Sequence, residues 1–331
     1  MITRRSLMVL FGGAVIGESR ARAERIGKTW RIGVIAPGPP NQPPDTLTAR
    51  VWAALKAGLH DLGYVEGQNL TIFLRWDEGS STTSLAHARE LVRLGIDVLV
   101  TGTTSSTLAA TAVTRVVPTV MAASGGGDPV DLGFAKSLAR PGGNITGLSL
   151  LTHALVAKRL ELIKEAVPDA SRVVLLTLPG TRIYEEENSR AAQRLGIQLE
   201  TYRLKGSEDF EAAFDAAARA KSDAVVMANS AVFATHATSL ARLALQHRLA
   251  TVSGETGYAR AGGLMNYGPN IVASWRRAAS YVDKIFKGAE PGELPIEQPA
   301  EFELVVNLKT AKALGLAIPV TILVRAGAVI E

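Results

Sequence analysis

The chain has 331 residues and no cysteine, and its 36 Lys and Arg residues barely outnumber its 31 Asp and Glu residues. The missing cysteines exclude disulfides, thiolate metal sites and a thiol nucleophile. At this length a globular chain usually splits into two hydrophobic cores, and only the amino terminus carries an apolar run that approaches membrane length. We therefore expect a soluble protein with two domains.

Residues 1–23 have the pattern of an export signal. Arg4 and Arg5 precede an apolar run at 7–17, and a small-x-small cleavage pattern ends at Ala23. The run is too short to span about 30 Å of hydrocarbon. The adjacent arginines and the glycine-containing run favour the twin-arginine route over general secretion, and an uncleaved flexible tail is the alternative. We therefore predict an exported, signal-cleaved, periplasmic protein.

Removal of this segment leaves a nearly neutral chain. It takes away four arginines and one glutamate, so the net charge falls from +5 to +2. The remaining sequence has no basic run with interleaved aromatic residues that would follow a phosphate backbone. Nucleic acid is therefore not expected as a partner.

The first half of the remaining chain alternates between strand and helix patterns. Short apolar runs predict strands, and apolar residues at helical spacing predict the helices between them. The predicted strands are 31–36, 70–74, 97–100 and 118–121, and the predicted helices are 48–62, 84–94 and about 106–114. This order implies a parallel sheet that is covered on both faces.

A second cycle of the same kind begins after Thr152. Its predicted strands are 172–176, 198–202, 224–227 and 250–253, and its predicted helices are 155–166, 184–195, 209–220 and 232–247. A strand at 264–267, a helix at 273–287, a strand at 302–306 and a helix at 308–314 complete the chain. The fold class predicted is α/β, with two doubly wound parallel-sheet lobes of similar size.

Loops that follow the strands are the expected place for a ligand. In open parallel sheets, ligands bind beyond the carboxyl ends of the strands, and two such edges facing each other form a cleft. The loops in question are 37–40, 101–106, 123–129, 179–183, 229–232 and 254–258.

Motifs for catalysis or cofactor binding are absent from the sequence. There is no phosphate-binding loop, no GxGxxG after a predicted strand and no GxSxG nucleophile elbow. The five histidines are scattered without metal-ligand spacing. We therefore predict no catalytic residue, no metal site and no cofactor.

Two of the strand-following loops permit two interpretations each. The hydroxyl-rich loop 101–106 suits a carboxylate or another small anion, or it is a simple Ser/Thr helix cap. In the loop 125–129, Asp128 either neutralises a ligand ammonium or fixes the turn before Pro129. The residues alone leave both pairs of alternatives open.

Several blocks of sequence, in order along the chain, resemble one family. They are 128–130, 137–147, 158–162, 261–269, 281–288, 294–299 and 302–311. As a set they resemble the ABC-transporter substrate-binding family that includes tryptophan- and tyrosine-binding proteins and has the type I periplasmic binding protein fold.

The resemblance implies two lobes joined by a hinge with several crossings, near 147–152, 257–263 and 288–295. Lobe 1 would consist of 24–148 with about 262–290, and lobe 2 of 149–261 with about 291–331. The protein would be a monomer that captures a small-molecule ligand and passes it to an ABC transporter permease in the inner membrane. The ligand expected is an amino acid or a similar small carboxylate.

The resemblance also suggests ligand-binding residues. Where the family binds amino acids, loop hydroxyls and amides hold the carboxylate and an acidic group holds the ammonium. The residues proposed on this basis or from loop position are Pro37, Gly38, Thr103, Thr104, Ser105, Asp128, Tyr184, Asn229, Ser230 and Glu255. The first loop, 37–41, departs from the family by being rich in proline. Tyr184 and Tyr258 are the only aromatic residues in the predicted cleft loops, which puts an aromatic amino acid ligand in doubt.

Two other functions are compatible with the sequence. One is a ligand sensor that signals to a membrane protein instead of a permease. The other is a secreted enzyme on a similar two-lobed α/β frame, which would need a nucleophile or paired acid and base groups across the cleft.

Overall fold

Five parallel strands form the first sheet of the computed structural model, which describes residues 28–40, 43, 46–78, 80–150, 155–178, 184–299 and 301–331. The predicted export signal lies outside the described residues. The strands of this sheet are β1 (Trp30–Ala36), β2 (Leu70–Trp76), β3 (Val98–Thr101), β4 (Thr119–Ser124) and β5 (Ile145–Ser149). They lie in the order β2-β1-β3-β4-β5, so the chain winds outward from β1 in both directions. We call this sheet and the helices packed on it lobe 1.

Helices cover both faces of the first sheet. They are α1 (Leu47–Asp61), α2 (Ser81–Arg93) and α3 (Thr104–Val113), joined much later in the chain by α9 (Ile271–Phe286). Strands β1, β3, β4 and β5 are almost fully buried, as expected for a parallel sheet between two helical layers. One face packs on α1 and α9 around Leu55 and Trp275, and the other packs on α2 and α3 around Leu91.

The second sheet has seven strands and repeats the winding of the first. Its strands are β6 (Arg172–Thr177), β7 (Gln198–Arg203), β8 (Ala224–Met227), β9 (Ala250–Ser253), β10 (Met265–Pro269), β11 (Phe302–Asn307) and β12 (Ala328–Ile330). The run β7-β6-β8-β9-β10 is parallel and has the same relative order as the first sheet. Strand β11 then runs antiparallel to β10, and β12 is parallel to β11. We call this sheet and its helices lobe 2.

Lobe 2 has a core on each face of its sheet. Its helices are α4 (Leu155–Ala166), α5 (Glu185–Arg194), α6 (Phe210–Arg219), α7 (Ala231–Thr235), α8 (Ala237–Gln246), α10 (Leu308–Leu314) and α11 (Val320–Arg325). Leu160 and Ile163 of α4 pack on one face, and Phe214 and Leu240 pack on the other. Removal of this apolar surface from water is the main force that holds each layer in place.

Two of the predicted lobe boundaries are wrong. Residues near 262 were expected to return to lobe 1, but β10 pairs with β9 and β11, because the apolar Leu264 and Met265 fill the core of lobe 2. The chain re-enters lobe 1 only with α9, so the crossing lies at 269–271 rather than at 257–263.

The return to lobe 2 is also later than predicted. After a 3-10 turn at Pro291–Glu293, Ile296 packs with Met121 in lobe 1, and the backbone of Glu297 bonds with that of Gly147 and Ser149. Lobe 2 resumes at β11, so the third crossing lies between residues 297 and 302. The first crossing lies between β5 and α4, close to the predicted position.

Within the described residues, no helix combines the length and the apolar character that crossing a membrane would require.

Candidate functional site

Lobe 1 brings its predicted ligand loops together at one sheet edge. Strands β1 and β3 are aligned so that Ile35 faces Thr101, and β3 and β4 so that Thr101 faces Met121. The loops that carry Pro37 and Gly38, residues 103–105 and residues 125–128 therefore follow neighbouring strand ends.

The second loop of this edge packs against an indole ring that was not among the predicted site residues. Trp275 of α9 is fully buried, and a Cβ on Gly102 would lie 2.5 Å from its Cζ2 atom and 2.7 Å from Cδ of Pro37. The backbone at Gly102 is therefore packed between the indole and Pro37 of the first loop. Its Nε1 atom is buried without a hydrogen-bond partner among the described residues.

Thr103 is a helix cap. Its hydroxyl accepts the backbone N–H of Ser106, while Oγ of Ser106 accepts the backbone N–H of Thr103, which completes a capping box at the start of α3. The same hydroxyl donates to Oδ2 of Asp77 at 3.1 Å. Its bonds are thus used within the protein, which favours the capping interpretation for this residue.

Removal of that cap should weaken the fold. We expect Thr103→Ala to lower the free energy of unfolding by about 1–2 kcal/mol, because the N–H of Ser106 loses its acceptor and Asp77 loses a donor. Urea unfolding checks this value. Thr111→Ala, farther along the same helix, is the control, since the hydroxyl of Thr111 bonds only to carbonyls of its own helix. Equal stability of the two variants would contradict the capping role.

Thr104 and Ser105 have different environments. The hydroxyl of Thr104 accepts the N–H of Gly126 at 2.8 Å and lies 3.0 Å from Oγ of Ser124. It therefore connects α3 to the loop 125–129, which we call the glycine loop. The half-buried Ser105 makes no hydrogen bond with its hydroxyl to the described residues, and the backbone N–H groups of residues 104 and 105 have no acceptor there either. The first turn of α3 therefore offers three donors to an anion.

Asp128 fixes a turn, as one of its two interpretations predicted. Its Oδ1 atom accepts the N–H of Val130 at 2.7 Å, and its carbonyl accepts the N–H of Leu132. The side chain is half-buried at the edge of lobe 1. A ligand contact through its other oxygen stays a prediction.

Asp77 is a further acidic residue at this edge, and it was not among the predicted ligand-binding residues. It follows β2, is only 1% exposed and accepts the hydroxyl of Thr103. Its backbone N–H bonds to the carbonyl of Ala36 at the end of β1. The position just beyond a predicted strand was a signal that could have identified it.

In lobe 2, two hydrogen bonds join the loop that carries Asn229 and Ser230 to the loop that carries Glu255. The N–H of Ser230 donates to Oε1 of Glu255 at 2.6 Å, and Nδ2 of Asn229 donates to the carbonyl of Gly254 at 2.7 Å. Asn229 in turn accepts a bond from Nη2 of Arg159 at 2.5 Å. The loops after β8 and β9 therefore form one polar cluster, with the guanidinium of Arg159 beneath it.

Burial shifts the titration of both charged members of the cluster. It raises the pKa of Glu255 to about 7, although the N–H of Ser230, the charge of Arg159 and the amide of Asn229 favour the carboxylate form. Burial also lowers the pKa of Arg159 to about 10, so this side chain still carries its charge at neutral pH. The side chain of Glu255 therefore changes between its neutral and its charged form near pH 7.

The two tyrosines expected in the cleft differ in position. Tyr184 is half-buried and immediately precedes α5, beyond the end of β6. Tyr258 is only 1% exposed, because its ring lies in the core of lobe 2 and its hydroxyl bonds to that of Thr251 at 2.9 Å. Tyr258 is therefore a core residue, and its expected place among the aromatic residues of the cleft is wrong.

The part of the chain that the structure describes contains no group of three or more His, Asp or Glu residues arranged to hold a metal ion. What the two edges offer is hydrogen-bond donors in lobe 1 and a carboxylate beside a guanidinium in lobe 2. This chemistry suits the binding of a small polar molecule.

The comparisons with known proteins place the chain in a family. Residues 45–330 match the model of the ABC transporter substrate binding protein family, and the chain belongs to that family. Its members are binding proteins rather than enzymes, and they act outside the cytoplasm. The architecture is the type I periplasmic binding protein fold, as the sequence predicted.

Individual relatives agree with this assignment. A tyrosine-binding protein of Clostridioides difficile (strain R20291) is 24% identical over 261 residues, which cover 78% of this chain and 74% of the relative. A conserved domain protein of Vibrio cholerae has a TM-score of 0.81 at 29% identity, with 91% of this chain and all of that one covered. An ABC domain of Streptococcus pneumoniae in complex with L-Trp also has a TM-score of 0.81, at 24% identity, with 92% and 100% covered.

Proposed function

We propose that the protein is an exported receptor that captures an amino acid or a similar small carboxylate between its lobes and delivers it to an ABC importer. Family membership supports the class of function. The tyrosine-binding relative and the similar ABC domain in complex with L-Trp support amino acids as the class of ligand. The permease of the importer is the expected macromolecular partner, and the receptor works as a monomer.

One observation carries the choice of ligand: the two strand edges have complementary chemistry. The first turn of α3 offers the two backbone N–H groups and the Ser105 hydroxyl, which suit the carboxylate of a ligand. The edge of lobe 2 carries Glu255, whose ionised form suits an ammonium group. A zwitterion has one group for each edge, so it gains most when both lobes contact it.

This two-sided contact explains how a receptor closes without catalysis. A ligand that touches both lobes binds the closed arrangement better than the open one, and so shifts the hinge population toward the closed form. No nucleophile or acid–base pair is required for this step. The protein is therefore proposed to release its ligand chemically unchanged.

Ser105 provides the sharpest test of the site in lobe 1. We expect Ser105→Ala to weaken amino acid binding by about 1–3 kcal/mol, since a ligand oxygen would lose its hydroxyl donor while the helix keeps its cap. Isothermal titration with L-tyrosine and L-tryptophan measures the change, and Thr111→Ala is the matched control on the same helix. Wild-type affinity in the Ser105 variant would remove the α3 turn from the site.

The place of action has its own test. The Arg4-Arg5 pair supports export by the twin-arginine route, and we expect Arg4→Lys combined with Arg5→Lys to abolish export. The periplasmic yield of the full chain, compared with that of Arg20→Lys combined with Arg22→Lys, measures this effect. Normal yield from the Arg4 and Arg5 variant would indicate the general secretion pathway instead.

A further inference from the structure

Arg159 connects parts of lobe 2 that are far apart in sequence. Its side chain is completely buried, and its Nε donates to the carbonyl of Tyr267 at 2.9 Å while its Nη2 donates to Oδ1 of Asn229. Tyr267 belongs to β10, two residues before the crossing at Pro269. The guanidinium of Arg159 therefore bonds simultaneously to the loop after β8, which carries candidate ligand residues, and to strand β10, which leads into the hinge.

Further contacts extend this connection to the loop after β9. Nδ2 of Asn229 donates to the carbonyl of Gly254, which links the loop after β8 to the loop after β9. The hydroxyl of Thr256, in the second of these loops, donates to the carbonyl of Pro269 at 3.3 Å. The backbones are also in close contact, since a Cβ on Gly268 would lie 2.3 Å from the carbonyl oxygen of Gly254. The two loops and the crossing have little room to move separately.

Stability alone does not account for an arginine at this position. A fully buried charge loses its hydration, which costs several kcal/mol, and an apolar side chain of similar volume would avoid that loss. The Nη1 atom is buried without an acceptor among the described residues, which adds to the cost. The gain lies in the planar fork of the guanidinium, which reaches two acceptors in a fixed geometry.

We propose that Arg159 is a positioning residue that makes the ligand loops of lobe 2 and the crossing at Pro269 move as one body. Contact between a ligand and the loop that carries Glu255 is then transmitted directly to the hinge. The transmission step rests on the proposed function, whereas the mechanical connection does not. The connection can therefore be tested on the ligand-free protein.

Amide hydrogen exchange of the ligand-free protein is the first measurement. Arg159→Lys keeps a positive charge, but one ammonium cannot reproduce the fork that joins Tyr267 to Asn229. We expect exchange at 228–230 and 254–258 to accelerate about tenfold or more, while β6 and α6 of the same lobe keep their protection.

Arg277→Lys is the matched control. Arg277 lies on α9 and pairs with Glu297 beside another crossing, but it has no bond to these loops. We expect it to leave exchange in both loops unchanged. The proposal fails if Arg159→Lys leaves the loops protected, or if protection falls evenly through lobe 2, because an even loss is the result of a purely structural role.

A pH profile of binding supplies the second measurement, with L-tyrosine and L-tryptophan as probes. The groups that face Glu255 are Arg159 from α4 and Asn229 and Ser230 from the loop after β8. We expect Arg159→Lys to lower affinity without moving the midpoint of the profile. Arg159→Gln should move the midpoint to higher pH, because Glu255 loses its positive neighbour.

The two measurements separate the failure of the connection from that of the function. If neither amino acid binds the wild-type protein, the ligand is not one of these aromatic amino acids, and the exchange data still decide the role of Arg159. An unchanged midpoint in Arg159→Gln would remove only the electrostatic contact between Arg159 and Glu255. If both amino acids bind Arg159→Lys as tightly as the wild-type protein although its loops exchange faster, binding does not depend on the connection. That result would overturn the transmission step.

Discussion

Gly254→Ala is expected to abolish ligand binding and to lower the free energy of unfolding by about 2–4 kcal/mol. The added Cβ would lie 2.3 Å from Oδ1 of Asn229 and 2.4 Å from Nη2 of Arg159. Neither group can retreat without breaking a hydrogen bond, since each is fixed by a second partner. Denaturant unfolding and isothermal titration measure the two effects.

Gly143→Ala is the control for that substitution. Its Cβ would meet no atom within 4 Å, and its backbone is not in the left-handed region. We expect stability and binding close to those of the wild-type protein. Wild-type stability in Gly254→Ala as well would show that the loops can separate, and would contradict the close packing of this edge.

Glu255→Gln is expected to remove a pH dependence from the stability of the protein. Burial raises the pKa of Glu255 from its ordinary 4.5 to about 7, so between these values the folded protein holds a proton that the unfolded chain has lost. The free energy of unfolding therefore falls as the pH rises from about 4.5 to 7, by about 3 kcal/mol from this group. Above that range the contribution of this group is constant.

Unfolding in denaturant at a series of pH values between 4.5 and 8 checks this prediction. The difference in stability between the wild-type protein and Glu255→Gln should change across the window, since glutamine does not titrate. Glu186→Gln replaces a carboxylate whose side chain is 85% exposed, and should leave the pH profile unaltered. Parallel profiles for the wild-type protein and Glu255→Gln would mean that Glu255 stays ionised in the fold.

Ten of the strands in the described residues were predicted, most of them because a strand buried on two faces is a continuous apolar run. Strands β5 and β12 were not predicted, because the first contains Gly147 and Ser149 and the second is only three residues long. The apolar pattern does not specify the partner of each strand. Residues 264–267 were recognised as a strand, but only packing decides that β10 completes the second sheet and that the chain crosses after it. The lobe boundaries were misplaced for this reason.

The candidate site was predicted where it depends on topology and missed where it depends on packing. Loops after parallel strands converge by geometry, so Asn229, Ser230 and Glu255 could be selected from loop position alone. Arg159 could not be found in this way, because it reaches the site from a helix. Its spacing did carry a signal, since it repeats the buried positions of Leu155 and Ile163 at intervals of four residues.

The role of each hydroxyl near a helix start is also difficult to predict from the sequence. The loop 101–106 contains several hydroxyls, and the pattern does not tell which of them the protein itself uses. In the structure, the hydroxyl of Thr103 accepts the capping bond from Ser106, and the hydroxyl of Thr104 bonds to Gly126 in the glycine loop. The hydroxyl of Ser105 is the one that remains for a ligand. This division depends on the distances to Ser106 and Gly126.

The central claim is that the protein binds an amino acid or a similar small carboxylate and does not alter it. Thermal unfolding of residues 24–331 against amino acids, other carboxylates, sugars and purines tests it most directly. A true ligand at 100 times its dissociation constant adds about 2.7 kcal/mol to the folded state. We expect such stabilisation from an amino acid or another carboxylate, with the ligand unchanged by mass spectrometry after hours of incubation. Stabilisation by a sugar or purine alone, or chemical conversion of the stabilising compound, would contradict the account.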